Sequence, residues 1–269
     1  MKLCIVGFLF AFSACFSSLA LAQTTQEYSA VQNVSADAAG HIKVETLTNI
    51  EPNNSYDWHI HSYWENRYVT EGRDNLANKG ITSVSTELNY ENFIIIPWFA
   101  KGINTDYSEV NLNIIYATVL SKNLELLSGY SAIASREESS NAYDNEVSLE
   151  LIYSFAQQVW LISSLYYSFD AQGAFLDVAL NKQYQLTPVL QLDFKTSVGF
   201  NSGYVADGHN GANHVQFSAN LSYSVIKNMQ LYAYSNYSFA INKDSNRYAN
   251  DELLQDVFWA GLGLSYQYR

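Results

Sequence analysis

The sequence predicts an all-β fold, a transmembrane antiparallel up-and-down β-barrel of about 12 strands. Three observations predict it. Apolar and polar residues alternate along about twelve successive stretches, the connections between them are alternately tight and long, and an export signal stands in front. The cleanest stretch carries Val215, Phe217, Ala219, Leu221, Tyr223 and Val225 on one side and His214, Gln216, Ser218, Asn220, Ser222 and Ser224 on the other. Successive side chains of a strand point to opposite faces, so such a segment has one apolar and one polar face.

The elements follow in order. Met1 and Lys2 open a basic start, Leu3 to Leu19 form an apolar stretch, and Ala20-Leu21-Ala22 is an A-x-A cleavage site. Residues 1–22 are thus expected to be a secretory signal peptide, with Gln23 the mature start. Both cysteines, Cys4 and Cys15, lie within it, so the mature chain would have no disulfide and no thiolate metal site. Residues 23–54 are polar and lack sustained periodicity, which predicts a loosely ordered periplasmic tail. The barrel is expected over 55–269, with strands near 56–70, 80–90, 93–103, 107–120, 123–135, 143–155, 158–169, 173–184, 188–204, 212–226, 228–241 and 256–268. Short connections fall at Glu91-Asn92, Ser121-Lys122, Ala156-Gln157, Gln185-Leu186-Thr187 and Lys227. The others are mostly longer and more polar, running from Glu71 to Lys79, Asn104 to Asp106, Arg136 to Ala142, Asp170 to Gln172, Val205 to Gly211 and Asn242 to Gln255, with two of them short. Outer-membrane barrels show this asymmetry, and an even strand count returns both chain ends to the periplasmic side.

Composition separates a membrane barrel from a soluble sandwich. Only 15% of residues are charged, and the polar faces carry small uncharged residues such as Ser83, Ser85, Asn111, Asn113, Ser148 and Asn220. A water-facing sheet would instead carry many Lys and Glu. Aromatic residues gather at both strand ends. Tyr90, Phe93, Tyr153, Phe155, Tyr184, Tyr223, Tyr266 and Tyr268 lie beside the short turns; Tyr68, Phe99, Tyr107, Tyr167, Phe169, Phe217, Tyr237, Phe239 and Phe258 lie toward the loops. Rings of this kind prefer the headgroup level, which predicts two girdles. Without the signal the chain has 13 basic against 26 acidic residues, which argues against a nucleic-acid partner. No run of 18 apolar residues follows the signal, so no spanning helix is expected.

Strand phase places Glu65, Glu87, Glu109, Glu125, Glu146, Glu150, Asp177 and Asp193 on the inner face, together with Arg67 and Lys195. These are the expected lumen-lining residues. Acidic linings favour cations over anions. The expected function is therefore passive diffusion of small cationic or neutral hydrophilic solutes. One alternative is a closed barrel whose loop acids Glu137, Glu138, Asp144, Asp251, Glu252 and Asp256 bind a surface partner, through divalent cations on lipopolysaccharide phosphates. Another is an outer-membrane lipid hydrolase, although the His-x-Ser-Asn-Gly string of the outer-membrane phospholipases is absent, and adjacent His61 and Ser62 face opposite ways and cannot pair. His59 and His61 share a face and could offer two metal ligands, but the sequence shows no third. His209 and His214, near Asp207, are a second such pair. No cofactor, resident metal or catalytic residue is expected.

Gly263-Leu264-Ser265-Tyr266-Gln267-Tyr268 resembles the β-signal by which outer-membrane barrels are recognised, except that Arg269 follows the final aromatic residue. The resemblance implies a Gram-negative outer-membrane location, in contact with lipid and lipopolysaccharide, and recognition by the barrel-assembly machinery through Gly263, Tyr266 and Tyr268. The stretch Tyr63-Trp64-Glu65-Asn66-Arg67-Tyr68-Val69-Thr70-Glu71-Gly72-Arg73-Asp74 resembles the opening of TorF-type porins, with its Tyr-Val-x-x-Gly. That likeness implies a small porin-like barrel and transfers no functional residues.

Overall fold

The computed structural model describes residues 32–36, 42–46, 57–137 and 140–268; the expected signal peptide and both cysteines lie outside them. Twelve strands close into one antiparallel barrel: β3 (Asp57–Glu65), β6 (Ile81–Tyr90), β7 (Phe93–Gly102), β8 (Ser108–Ser121), β9 (Leu124–Glu137), β10 (Ser140–Ala156), β11 (Val159–Ser168), β12 (Gly173–Thr187), β13 (Leu190–Ser202), β14 (Gly211–Ile226), β15 (Met229–Ala240) and β16 (Val257–Tyr268). Each pairs with its sequence neighbour. The seam is closed by β16 on β3, in register from Gly261↔Glu65 to Tyr268↔Trp58. Closure leaves no barrel strand with an unpaired edge, as a bilayer demands.

Five connections at one rim contain two residues each, Glu91-Asn92, Lys122-Asn123, Gln157-Gln158, Pro188-Val189 and Lys227-Asn228. Four of them follow a β-bulge, at Val119/Ser121, Ser154/Ala156, Gln185/Thr187 and Ser224/Ile226. We call this end the turn rim and the opposite end the loop rim.

The outward face is apolar nearly all round. Val110, Leu112 and Ile114 on β8, Val147, Leu149 and Leu151 on β10, Leu221 on β14, Leu231 on β15 and Leu262 on β16 are all exposed. Soluble monomers rarely expose apolar patches beyond a few hundred Å², so lipid is the solvent this belt fits. Lys182, the outward basic residue of β12, reaches down to the Gln157 carbonyl at the turn rim and lies over the Tyr184 ring. That is how a lysine snorkels from an apolar face.

Four features depart from the sequence reading. First, the stretch expected to be a loosely ordered tail contains an antiparallel strand pair, β1 (Gln32–Ala36) with β2 (Ile42–Thr46), in register at Val34↔Val44. Five-residue strands are too short to show a sustained period. Second, the first barrel strand stops at Glu65, not near residue 70. Glu71 and Gly72 both adopt positive φ, 47° and 75°, and close a miniature hairpin of β4 (Val69–Thr70) and β5 (Arg73–Asp74). Two positive φ values are the requirement of a type I′ turn. Third, β9 and β10 run on to Glu137 and from Ser140, replacing the longer loop expected over Arg136 to Ala142. Both faces are polar there, so no period-two signal marks the extension. Fourth, Tyr68 and Tyr107 leave the expected aromatic girdle and are buried inside the barrel.

The interior is unevenly filled. On β7 the inward residues are Ile94, Ile96, Trp98 and Ala100, all buried, and they pack with Tyr63, Ile115, Leu127, Ile152 and Trp160 in a continuous apolar cluster. The indole N–H of Trp98 donates to the Tyr63 hydroxyl at 3.2 Å. Beside β12 to β15 the inward side chains Asp177, Asn181, Asp193, Lys195, Gln216, Ser218, Asn220 and Asn236 are polar and only half-buried. One side of the barrel is thus a packed core, while the other retains water-accessible polar surface.

Candidate channel lumen and loop-rim lock

The strand registers put all eight expected carboxylates on the inner face, but in two different environments. Glu65, Glu87, Glu109, Glu146 and Glu150 are buried, between 0% and 6% exposed. Neutral donors hold them. Tyr234 donates to Glu65 at 2.8 Å, Asn89 to Glu87 at 2.5 Å, Tyr204 to Glu146 at 2.5 Å and Ser164 to Glu150 at 2.6 Å. Glu109 receives the hydroxyls of Tyr68, at 2.9 Å, and Tyr107, and the Asn111 amide at 2.8 Å. Burial, reinforced by the neighbouring Glu109, raises the Tyr68 and Tyr107 phenols well above the ordinary tyrosine range, so both remain protonated donors. The sequence reading missed these tyrosines. Tyr107 could have been found, since it stands two residues before Glu109 on the same face.

The remaining three are half-buried: Asp177 and Asp193 lie on the polar side of the lumen, and Glu125 on β9, near the turn rim. Lys195 stands 3.9 Å from Asp177, its side chain 42% exposed. Gln191 donates to Asp193 at 2.9 Å. Arg67 is not on a barrel strand. It follows β3 into the first loop, where its guanidinium meets Asp74 at 3.1 Å. Of the expected residues on barrel strands, those with accessible charge are therefore three carboxylates and one ammonium group.

At the loop rim the β4–β5 hairpin packs against the last loop and carries Arg73 into a buried polar knot. The guanidinium donates to the Asn213 side chain on β14 at 2.8 Å, to the Asp251 carboxylate at 3.1 Å, and to the carbonyls of Asn250 and Glu71, both at 3.1 Å. Asp251 belongs to a 3₁₀ turn, η1 (Ala249–Glu252), in the last loop. Its carboxylate also accepts the backbone N–H groups of His209 and Asp244, at 3.1 and 3.0 Å. Nδ1 of His209 lies 2.7 Å from Asp251, and Nε2 lies 2.9 Å from the Ala212 carbonyl. Both ring nitrogens thus stand at hydrogen-bond distance from oxygen atoms. Burial alone would raise the Asp251 carboxyl; the N–H groups of Asp244 and His209 and the His209 ring outweigh it and hold the carboxyl below its ordinary value. Burial lowers the Arg73 guanidinium from its ordinary value, against the charges of Glu71 and Asp251.

This knot ties the first loop, the loop after β13 and the last loop into one lid. Asp251, expected to face a surface partner, is turned inward with no exposure. Asp144 is occupied by the Ser168 hydroxyl and the Asp170 backbone N–H, and Asp256 by the Ala240 N–H; Glu138 lies outside the described residues. The His209–His214 pair also resolves into structural roles: His209 is in the knot, and His214 stacks on Phe175 with ring centroids 6.1 Å apart.

The end of the chain has its own packing logic. A Cβ on Gly263 would fall 2.2 Å from the Tyr232 ring, and one on Gly261 2.4 Å from the Tyr234 ring. The two tyrosines lie over the two glycines across the β15–β16 ladder. Tyr266 and Tyr268 face outward and are exposed.

No known family profile matches the chain, and no curated relative does. Solved structures do. The KdgM porin superposes with a TM-score of 0.53 at 11% identity, over 78% of this chain and 99% of that one. The NanC porin gives 0.52 at 10% identity, over 78% and 98%. KdgM in complex with disordered oligogalacturonate gives 0.52 at 10% identity, over 79% and 99%. At such identities the likeness is one of architecture: this chain has the closed barrel fold of the small porins.

Proposed function

We propose that the protein is an outer-membrane channel for passive diffusion of small hydrophilic solutes, cationic or neutral. The observation that carries the reading is the half-buried polar track along β12 to β15, where the carboxylates of Asp177 and Asp193 outnumber the ammonium group of Lys195. Fixed negative charge in a narrow aqueous path raises the local concentration of cations and lowers that of anions. An oligogalacturonate, the ligand in one of the KdgM structures, is a chain of carboxylates, and the acidic track would repel it. The track therefore separates the solute class proposed here from that of the structural neighbour. The apolar belt supports a bilayer seat, with the turn rim toward the periplasm and residues 1–22 removed on export. Lipid and lipopolysaccharide contact the outside, and the assembly machinery reads Gly263, Tyr266 and Tyr268. Transport by diffusion requires no catalytic residue, and none is assigned.

Planar-bilayer recording of the refolded mature chain tests this. Discrete conductance steps with a reversal potential displaced toward cations under a salt gradient are expected. A silent membrane, or displacement toward anions, overturns the reading.

A further inference from the structure

We propose that His59, His61 and Glu87 form a binding site for one divalent transition-metal ion of the zinc class, inside the barrel near the turn rim. The sequence offered only the two imidazoles. The third ligand appears because β6 pairs with β3 so that Glu87 stands directly opposite His59, with His61 two residues further along the same inner face. One ligand atom from each residue lies within 4.8 Å of the other two, and all three residues are buried. Ligand atoms about 2.0–2.2 Å from a tetrahedral ion lie about 3.4 Å apart, so binding draws the three together by about an ångström. The backbone at Glu87 can give. The β6–β7 ladder breaks between Ser85↔Trp98 and Leu88↔Ile95, where Pro97 offers no N–H, and Glu87 falls within that break.

Two further layers favour an ion. The groups behind the ligands are those that orient metal ligands. Asp57 Oδ2 lies 3.3 Å from His59 Nε2 and itself accepts the Gln267 amide at 3.0 Å, while Asn89 donates to Glu87 Oε1 at 2.5 Å. A carboxylate on the far nitrogen of a histidine fixes its tautomer and strengthens it as a ligand, here through Nδ1. The charge balance points the same way. Among the described residues, the inward positions of β16, β3, β6 and β7 carry the carboxylates Asp57, Glu65 and Glu87. Fixed negative charge of this kind attracts a divalent cation. Two nitrogens and one oxygen suit zinc, nickel, cobalt or copper; calcium and magnesium take mostly or only oxygen ligands, six or more. Three protein ligands leave a fourth position for water or a passing solute.

The site does not depend on conductance, so its test is separate from that of the channel. The tag-free mature protein is folded in detergent, stripped with a chelator and titrated calorimetrically with Zn²⁺. One ion per chain is expected. H61A and E87Q should each weaken binding at least tenfold, and D57N, which touches no metal, by about 10- to 100-fold. Millimolar Ca²⁺ or Mg²⁺ should not compete. The mobility of unheated protein on a gel confirms that each variant is folded. If H61A does not fold, the zinc absorption edge of the wild type decides instead, with two imidazoles in the shell expected. Binding that survives in H59A/H61A/E87Q, or a wild-type shell without imidazole, overturns the proposal.

Discussion

Replacing Arg73 by alanine should unlock the lid without unfolding the barrel. Arg73 is 2% exposed and Asp251 has no exposure, so the pair is a buried one. Removing one partner of such a pair costs about 3–5 kcal/mol, because the other charge is left behind in a medium that solvates it poorly. Here Asp251 keeps His209 and two backbone N–H groups, which places the expected cost at the lower end, about 3 kcal/mol. The Asn213 amide oxygen and the Asn250 and Glu71 carbonyls lose a donor as well. At about 1.4 kcal/mol per tenfold, 3 kcal/mol raises the open population roughly 150-fold. Amide hydrogen exchange reads that population directly. The reporters are the N–H groups of Asp74, which bonds the Leu253 carbonyl, Gln255, which bonds Gly72, and His209, which bonds Asp251. Exchange at these positions should accelerate by about two orders of magnitude, up to the ceiling set by complete local opening, while β8 to β10 stay protected. R73K should fall between, since an ammonium group keeps the charge but cannot repeat the fork of a guanidinium. If R73A exchanges within threefold of wild type at all three reporters, the knot does not hold the lid and the reasoning fails.

Other outcomes can be checked in the same preparations. Neutralising the track with D177N/D193N should shift the bilayer reversal potential away from cations, by at most about 1 kcal/mol per carboxylate in a watery path, or roughly fivefold in permeability ratio. Acid should release the lid before the barrel melts. The Asp251 carboxyl is held below its ordinary value, so its contribution is fully present above the ordinary carboxylate pKa of about 3.9 and is lost as pH falls below that; exchange at His209 should be unchanged between pH 7 and 5 after correction for intrinsic rate, and rise below 4. Trp98→Ala should lower stability in denaturant by about 3–5 kcal/mol, the cost of a large cavity, since Trp98 is buried within the apolar cluster. Gly263→Val should slow refolding or reduce heat stability through collision with the Tyr232 ring, with overpacking costing about 1–3 kcal/mol; restoration by an added Tyr232→Ala is the control.

Much of the barrel was legible because its physics is local. Alternation along β14 and β10, a tight turn every second connection and a polar face poor in charge each report what a strand meets on its two sides. For the same reason the inward phase of Glu65, Glu109, Glu146 and Asp177 followed from counting by twos. What counting could not supply was distance across the lumen. The sequence does not say that Tyr68 and Tyr234 reach Glu109 and Glu65, since the first pair is separated by 41 residues and the second by 169. The β4–β5 hairpin escaped notice because two-residue strands have no period to read. Its turn folds inward only because Arg73 finds Asn213 and Asp251 there, 140 and 178 residues away.

Sequence alone therefore determined the barrel class, a strand number of about twelve, the order of pairing and the inward face of most strands, because those depend on period two and on the bilayer's intolerance of unpaired backbone. Only closure of the sheet decided which inward residues touch. It divided the lumen into a packed apolar wall and a half-buried polar track, tied three loops together through Arg73, and set Glu87 opposite His59. Register across a ladder is a property of two strands together, and neither strand carries it alone.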